Sequence, residues 1–227
     1  EYAMLSHRWE DEEPVYKDIK SDIYSMKEPT GIKKLQSFCR TAEALGYQWA
    51  WSDTCCIDKK SSADLEESIA SMFLWYRNSA ITIVYLSDVA SSSPNALRRS
   101  LWFTRGWTLQ ELLAPRVVQF YKADWTPFIE GQCFDHKSID SILDILENAT
   151  GVDRKFILNF NPGVDNARAR LRWAYNRKTA KEEDIAYSLM GIFDIQIPVV
   201  YGEKAKAFGR LLMEIVGRSG DVTLFDW

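Results

Sequence analysis

Trp107-Thr108-Leu109-Gln110-Glu111 sets an indole and a carboxylate four residues apart. In a helix that spacing puts both on one face. A carboxylate beside an indole is partly desolvated and well oriented. It suits a single acid that stabilises a cation or grips sugar hydroxyls. The same spacing also reads as a surface glutamate paired with Arg105 or Arg116, an ion pair of small individual worth. A second group of candidates comes from strand ends. Ser6-His7-Arg8-Trp9 follows one strand candidate, Asp53-Thr54-Cys55-Cys56-Ile57-Asp58 another, and Ser87-Asp88 a third. Open parallel sheets bind ligands outside the carboxyl ends of their strands. Arg8 could hold a phosphate bidentately, and Trp9 could stack on a base or a pyridinium ring. Ordinary capped loops with a surface ion pair are the alternative.

Other chemistries find little support. The chain has no G-x-G-x-x-G, no G-x-x-x-x-G-K-[ST] and no G-x-S-x-G, so the usual phosphate grips and the nucleophile elbow are missing. Its four cysteines are Cys39, Cys55, Cys56 and Cys133, with no C-x-x-C, and its two histidines are His7 and His136. No metal-ligand spacing results, so no metal site is expected. Adjacent Cys55 and Cys56 read as buried packing residues, and His7 as a loop hydrogen-bonder. Trp102 and Phe103 read as core, with Trp107 placed to serve core and site together. The Arg168, Arg170 and Arg172 run reads as a solvated helix face.

The elements that must position these residues alternate over the first half. Strands are expected at 2–6, 49–57, 81–86 and 116–121. Helices are expected at 31–45 and 65–78, and a shorter one within 101–113. His7 to Lys20 is charged and irregular. Strand–helix alternation of this kind predicts a parallel sheet covered on both faces. Helices at 137–149, 153–159, 166–176, 182–193 and 203–217 follow, predicting a helical extension packed on the sheet. The division is then 1–130 for the α/β core and 131–227 for the extension. A strand at the very start predicts a piece cut from a longer protein.

Composition narrows the class. A chain of 227 residues, 46% hydrophobic and 26% charged, is a globular domain. No apolar run approaches a membrane span. The net charge of −4 argues against a general nucleic-acid binder. Without a signal peptide or a disulfide pattern, the expected location is cytoplasmic, with reduced thiols.

YAMLSHRW, WAWSDTCCIDK, ESIASMFLWY and LWFTRGWTLQELLAP resemble the successive blocks of the fungal heterokaryon-incompatibility (HET) domain. DIAYSLMGIFDIQIPVVYGEKAKAF resembles the extension of HET domains that stand in front of NACHT and WD-repeat regions. Arg8-Trp9-Glu10 departs from the Trp-Gly pair of many members. The family is similar, more remotely, to TIR domains, which implies a flavodoxin-like three-layer parallel sheet. Trp107 to Glu111 looks like the W-x-x-x-E helix of the TIR enzymes that cleave NAD. The resemblance implies that Glu111 is the catalytic residue. NAD would be a substrate, with no cofactor required. Ser6, His7, Arg8, Trp9, Asp53 and Trp107 would bind it: Arg8 and the backbone near Ser6 and His7 at the pyrophosphate, Trp9 or Trp107 on a ring, and Asp53 on its loop or a sugar hydroxyl.

The resemblance further implies self-association, with Asp58 to Ser62 and Glu10 to Glu13 as contact surfaces. Triggering would come from a downstream sensor of the same protein, and fungal non-self recognition would end in cell death. A non-catalytic signalling module, and a nuclease or cyclic-nucleotide synthase, are the alternatives.

Overall fold

The computed structural model describes the chain except for Lys20, Ser21, Thr30, Gln132 and Trp227, with Phe225 and Asp226 described in their backbone alone. Lys20, the end of the expected charged segment, therefore lies outside the described residues.

Four strands form one sheet: β1 (Ala3–His7), β2 (Ala50–Trp51), β3 (Ile81–Tyr85) and β4 (Val118–Tyr121). Every pairing is parallel and the order is β2-β1-β3-β4. This order is the start of the flavodoxin-like arrangement, whose direction of winding reverses between β1 and β3. Parallel strands covered on both faces read as continuous apolar runs. Ala3-Met4-Leu5 and Ile81-Thr82-Ile83-Val84 are buried without a break.

The two-residue period of a strand divides these side chains between two layers. Ala3, Leu5, Ile81 and Ile83 pack with Leu35 and Phe38 of helix α1 (Ile32–Ala44). Met4, Val84, Val118 and Phe120 pack on the other face. That face carries α2 (Ser62–Asn78), α3 (Pro94–Arg98) and α4 (Thr108–Leu113). The result is the three-layer α/β architecture expected from the alternation of elements. Ser61 caps α2 by accepting the Asp64 N–H, so this helix starts three residues earlier than its apolar stripe suggests. The Tyr76 hydroxyl of α2 donates to the Leu5 carbonyl at 2.9 Å, tying the helix to β1.

The largest difference from the expected elements is at 49–57. Only Ala50–Trp51 is strand, and residues 52–57 curl into turns. The Cys56 N–H donates to the Ser52 carbonyl at 2.9 Å, and that local bond replaces pairing with β1. The helix expected within 101–113 is broken. Residues Leu101–Thr104 form a 3-10 turn, and α4 starts only at Thr108.

The second half is helical: α5 (Asp140–Thr150), α6 (Arg154–Leu158), α7 (Ala167–Ala174), α8 (Asp184–Tyr187), α9 (Met190–Phe193) and α10 (Lys206–Ser219). Gly151 ends α5 in the left-handed conformation at φ 68°, a common helix stop. One hydrophobic cluster runs from the sheet face through α2 and α4 into this half. Arg170 corrects the reading of a solvated arginine face. It is 4% exposed and donates to the carbonyls of Asp165, Ile192 and Asn161. Loop backbone that would otherwise lack partners thus meets one buried guanidinium.

Gly191 of α9 lies against Phe73 of α2. A Cβ there would come within 2.2 Å of the Phe73 side chain. Gly191→Ala is expected to lower stability by about 2–3 kcal/mol through overpacking. Gly217→Ala in α10, where nothing lies within 4 Å, is expected to raise it by about 0.5–1 kcal/mol through helix propensity. Denaturant unfolding of both variants checks the contrast.

Candidate functional site

Ser6 is an even-numbered residue of β1 and so faces the α2 and α4 layer. Its hydroxyl donates to Glu111 Oε2 at 2.5 Å and accepts from Trp102 Nε1 at 2.9 Å. An indole, a hydroxyl and a carboxyl therefore form a chain of two hydrogen bonds under the carboxyl end of β1. Glu111 is 7% exposed, which overturns the reading of a surface glutamate paired with arginine. Burial pushes its carboxyl up to about 8, against the opposing pull of the Ser6 hydrogen bond. The charge on Asp53 raises it further, while Arg105 and Arg177 lower it. At neutral pH the resting group is mostly protonated.

One of these neighbours comes from outside the α/β half. Arg177 is buried, and its Nη1 donates to the Arg105 carbonyl at 3.0 Å and to Thr108 Oγ1 at 2.9 Å. Lys178 and Thr104 to Gly106 exchange backbone hydrogen bonds of 2.6 and 2.9 Å. The helical half thus grips the segment that leads into α4. Trp107 joins the same contact. Its indole lies close enough to the Asp184 carboxylate to favour the charged form, and that carboxylate accepts from the Tyr201 hydroxyl at 2.9 Å. The tryptophan expected beside Glu111 is instead half-buried and turned to the helical half. From there it ties the start of α4 to the helical half.

The strand-end residues fall into two groups. Trp9 Nε1 donates to Asp53 Oδ2 at 2.9 Å, and Lys59 Nζ stands 3.5 Å from the Trp9 ring centroid. Asp53 is raised from the usual carboxylate range by burial, with Lys59 and the Trp9 hydrogen bond opposing. Trp9, Asp53 and Lys59 make a rim above Ser6 and Glu111, with Trp9 45% exposed. Arg8 is half-buried on the same connection.

His7 belongs elsewhere. As an odd-numbered residue of β1 it points to the α1 face, opposite Ser6. It is no loop hydrogen-bonder: neither ring nitrogen has a hydrogen-bond partner among the described residues. Its Nε2 stands 3.7 Å from Glu13 Oε1, and Glu13 pairs with Lys34. Burial, with Lys34 and Lys59 adding to it, holds His7 well below the usual histidine range and therefore neutral. Glu13 is also lost as a contact surface, because its side chain turns inward.

The cysteine reading needs one correction. Cys55 is buried, but Cys56 is exposed. Among the described residues no group of His, Cys, Asp and Glu is arranged to hold a metal ion, and no helix is long and apolar enough to cross a membrane. Arg177 and Asp184 were not among the site residues expected from sequence. They approach α4 only through tertiary packing, and their local sequence carries no periodic signal.

A doubly wound parallel sheet with a buried carboxyl at its reversal point defines a ligand-binding class of α/β domain. Residues 2–100 match the family profile "Heterokaryon incompatibility protein (HET)", and the chain belongs to this family as a HET domain. It is 38% identical over 226 residues to the vegetative incompatibility protein HET-E-1 of Podospora anserina. That match covers 94% of this chain and 16% of the relative, so the chain spans about a sixth of the length of that curated relative. No solved structure matches significantly.

Glu111 ties pH to stability in a defined direction. Its folded-state value of about 8 lies above the ordinary 4.5. The folded state therefore holds an extra proton between these values, and stability falls as pH rises through that window. Glu111→Gln keeps an acceptor for Ser6 and removes the ionisation. Its Tm is expected to gain on wild type by several degrees between pH 5 and pH 8, each kcal/mol being worth about 2–4 °C. A constant difference across this range would place the carboxyl in the ordinary glutamate range.

Proposed function

We propose that this HET domain is a cell-death effector of fungal non-self recognition that cleaves NAD to nicotinamide and ADP-ribose or its cyclic form. The observation that carries the reading is Glu111. It is a buried acid, fixed by Ser6, at the reversal point of a parallel sheet. Its Trp107–Glu111 segment resembles the W-x-x-x-E helix of NAD-cleaving TIR enzymes. Cell death and non-self recognition follow from membership of the incompatibility family.

One acid is enough for this reaction. The nicotinamide of NAD is a cationic leaving group and departs neutral, taking the electron pair of its bond to ribose C1′. No general acid has to protonate it, unlike the leaving group of an ordinary glycoside. The ionised Glu111 carboxylate stabilises the oxocarbenium-like transition state and holds ribose hydroxyls. Water then adds to C1′ and releases a proton, or an adenine nitrogen adds to give the cyclic product. Trp9 supplies exposed ring surface, Arg8 is the cation for the pyrophosphate, and Asp53 places Trp9. His7 contributes backbone only, since its ring faces the other layer.

Burial of Glu111 also supports a second reading, a non-catalytic signalling module, because a substrate must open this packing to reach the acid. In the enzyme reading the closed state is the resting one. It opens on self-association driven by sensor regions of the longer protein, in the cytoplasm.

Nicotinamide release by the purified chain tests the two readings. Wild type is expected to release it with specific activity that rises with protein concentration, and Glu111→Gln to lose at least 100-fold, the scale of removing one main electrostatic stabiliser. The kcat/KM is expected to rise with pH and level off above about 8, since it reports the free enzyme's ionisation. Equal release by wild type and Glu111→Gln overturns the enzyme reading, and no release at any concentration favours the module.

A further inference from the structure

Three of the four thiols gather at the β2 edge of the sheet. Cys55 and Cys56 lie in the turn that carries Asp53. Cys39 of α1 lies near enough for a charge on Cys56 to act on it. Cys133, which follows β4 at the other edge of the sheet, gives its thiol to the Asp135 carbonyl.

Neighbouring side chains of an extended chain point to opposite sides. The turn closed by the Cys56 N–H to the Ser52 carbonyl brings these two together instead, with their sulfurs 4.0 Å apart. Their surroundings are unequal. Cys55 is buried among the apolar side chains beneath α1, whereas Cys56 is exposed. Cys56 Sγ also accepts the Ser52 N–H at 3.4 Å. A sulfur that receives a thiol and an amide hydrogen favours its anion. The Cys55 hydrogen bond and then the Ser52 N–H, against partial desolvation by the turn, bring Cys56 down to about 7, and the same thiol hydrogen bond pushes Cys55 up. An exposed sulfur of this kind is the form that reacts with oxidants.

We propose that Cys56 is a peroxide-sensing thiol and that Cys55 is its resolving partner. The Cys56 thiolate attacks one peroxide oxygen. The O–O bond breaks, hydroxide leaves, and Cys56 becomes a sulfenic acid. The Cys55 sulfur then attacks the Cys56 sulfur. The S–S bond forms, the S–O bond breaks, and the Cys55 proton leaves with the hydroxyl as water. Together two thiols and one hydrogen peroxide give one disulfide and two waters, the two sulfurs supplying both electrons. Closing the gap draws the two sulfurs together and reshapes the turn from Ser52 to Cys56. Asp53 sits within that turn and holds Trp9, so oxidation repositions the rim above Glu111. This inference does not depend on what the rim binds.

The test treats the purified chain with limiting hydrogen peroxide, alkylates the remaining thiols and maps the peptides by mass spectrometry. The expected product has lost two hydrogens from the peptide holding Cys55 and Cys56, with Cys39 and Cys133 still alkylated, and a dithiol reductant reverses it. Cys55→Ala is expected to stop at a Cys56 sulfenic acid that dimedone traps. Cys56→Ser, an exposed replacement, is expected to slow thiol loss at least tenfold. Oxidation of Cys133 as fast as Cys56, a Cys39–Cys56 bridge, or a Cys56→Ser variant that oxidises at the wild-type rate would overturn the proposal.

Discussion

The hydrogen bond from Ser6 to Glu111 is the contact on which the arrangement of this domain turns. A glutamate carboxyl removed from water costs several kcal/mol if it has to be charged and unpaired. The structure meets that cost by leaving the group mostly protonated and by giving it one well-placed hydroxyl. Ser6 is available because β1 is the strand at the reversal point and because its even residues face α4. Trp102 fixes the hydroxyl from the other side, so its proton is directed at the acid.

Seen from this contact, the helical half is a clamp. Arg177 holds the carbonyl of Arg105 and the hydroxyl of Thr108, and Asp184 stands against the indole of Trp107. Both act on the six-residue helix that carries Glu111. A helix this short has little stability of its own, and packing from the second half supplies it. Arg177 also places positive charge within reach of Glu111, so the same clamp moderates the ionisation of the acid.

Sequence patterns revealed the layers because burial imposes them. β-Branched runs and helical stripes exist wherever one face meets the core, and the four strands and α1 were legible on that basis. Short pieces were not. The expected strand at 49–57 shrank to two residues because a turn hydrogen bond at Ser52 competes with the ladder, and apolar content cannot distinguish the two. Glu111, Ser6, Trp9 and Asp53 stand out from strand ends and helix spacing, and the structure joins them in pairs, Ser6 to Glu111 and Trp9 to Asp53. The period of two along β1 already separates Ser6 from His7, yet adjacency in sequence had grouped them. The turn of Trp107 toward the helical half was not legible for a different reason: Asp184, which it approaches, lies 77 residues away, and long-range contacts leave no local trace.

The central claim is that Glu111 is a buried, reactive acid which a cationic ligand calls into its charged state. Carbon-13 NMR of glutamate carboxyls, assigned through Glu111→Gln, reads that state directly. The account predicts a midpoint near 8 for Glu111 in the free protein, moving lower when NAD is added. A midpoint in the ordinary glutamate range that NAD leaves unmoved would contradict it.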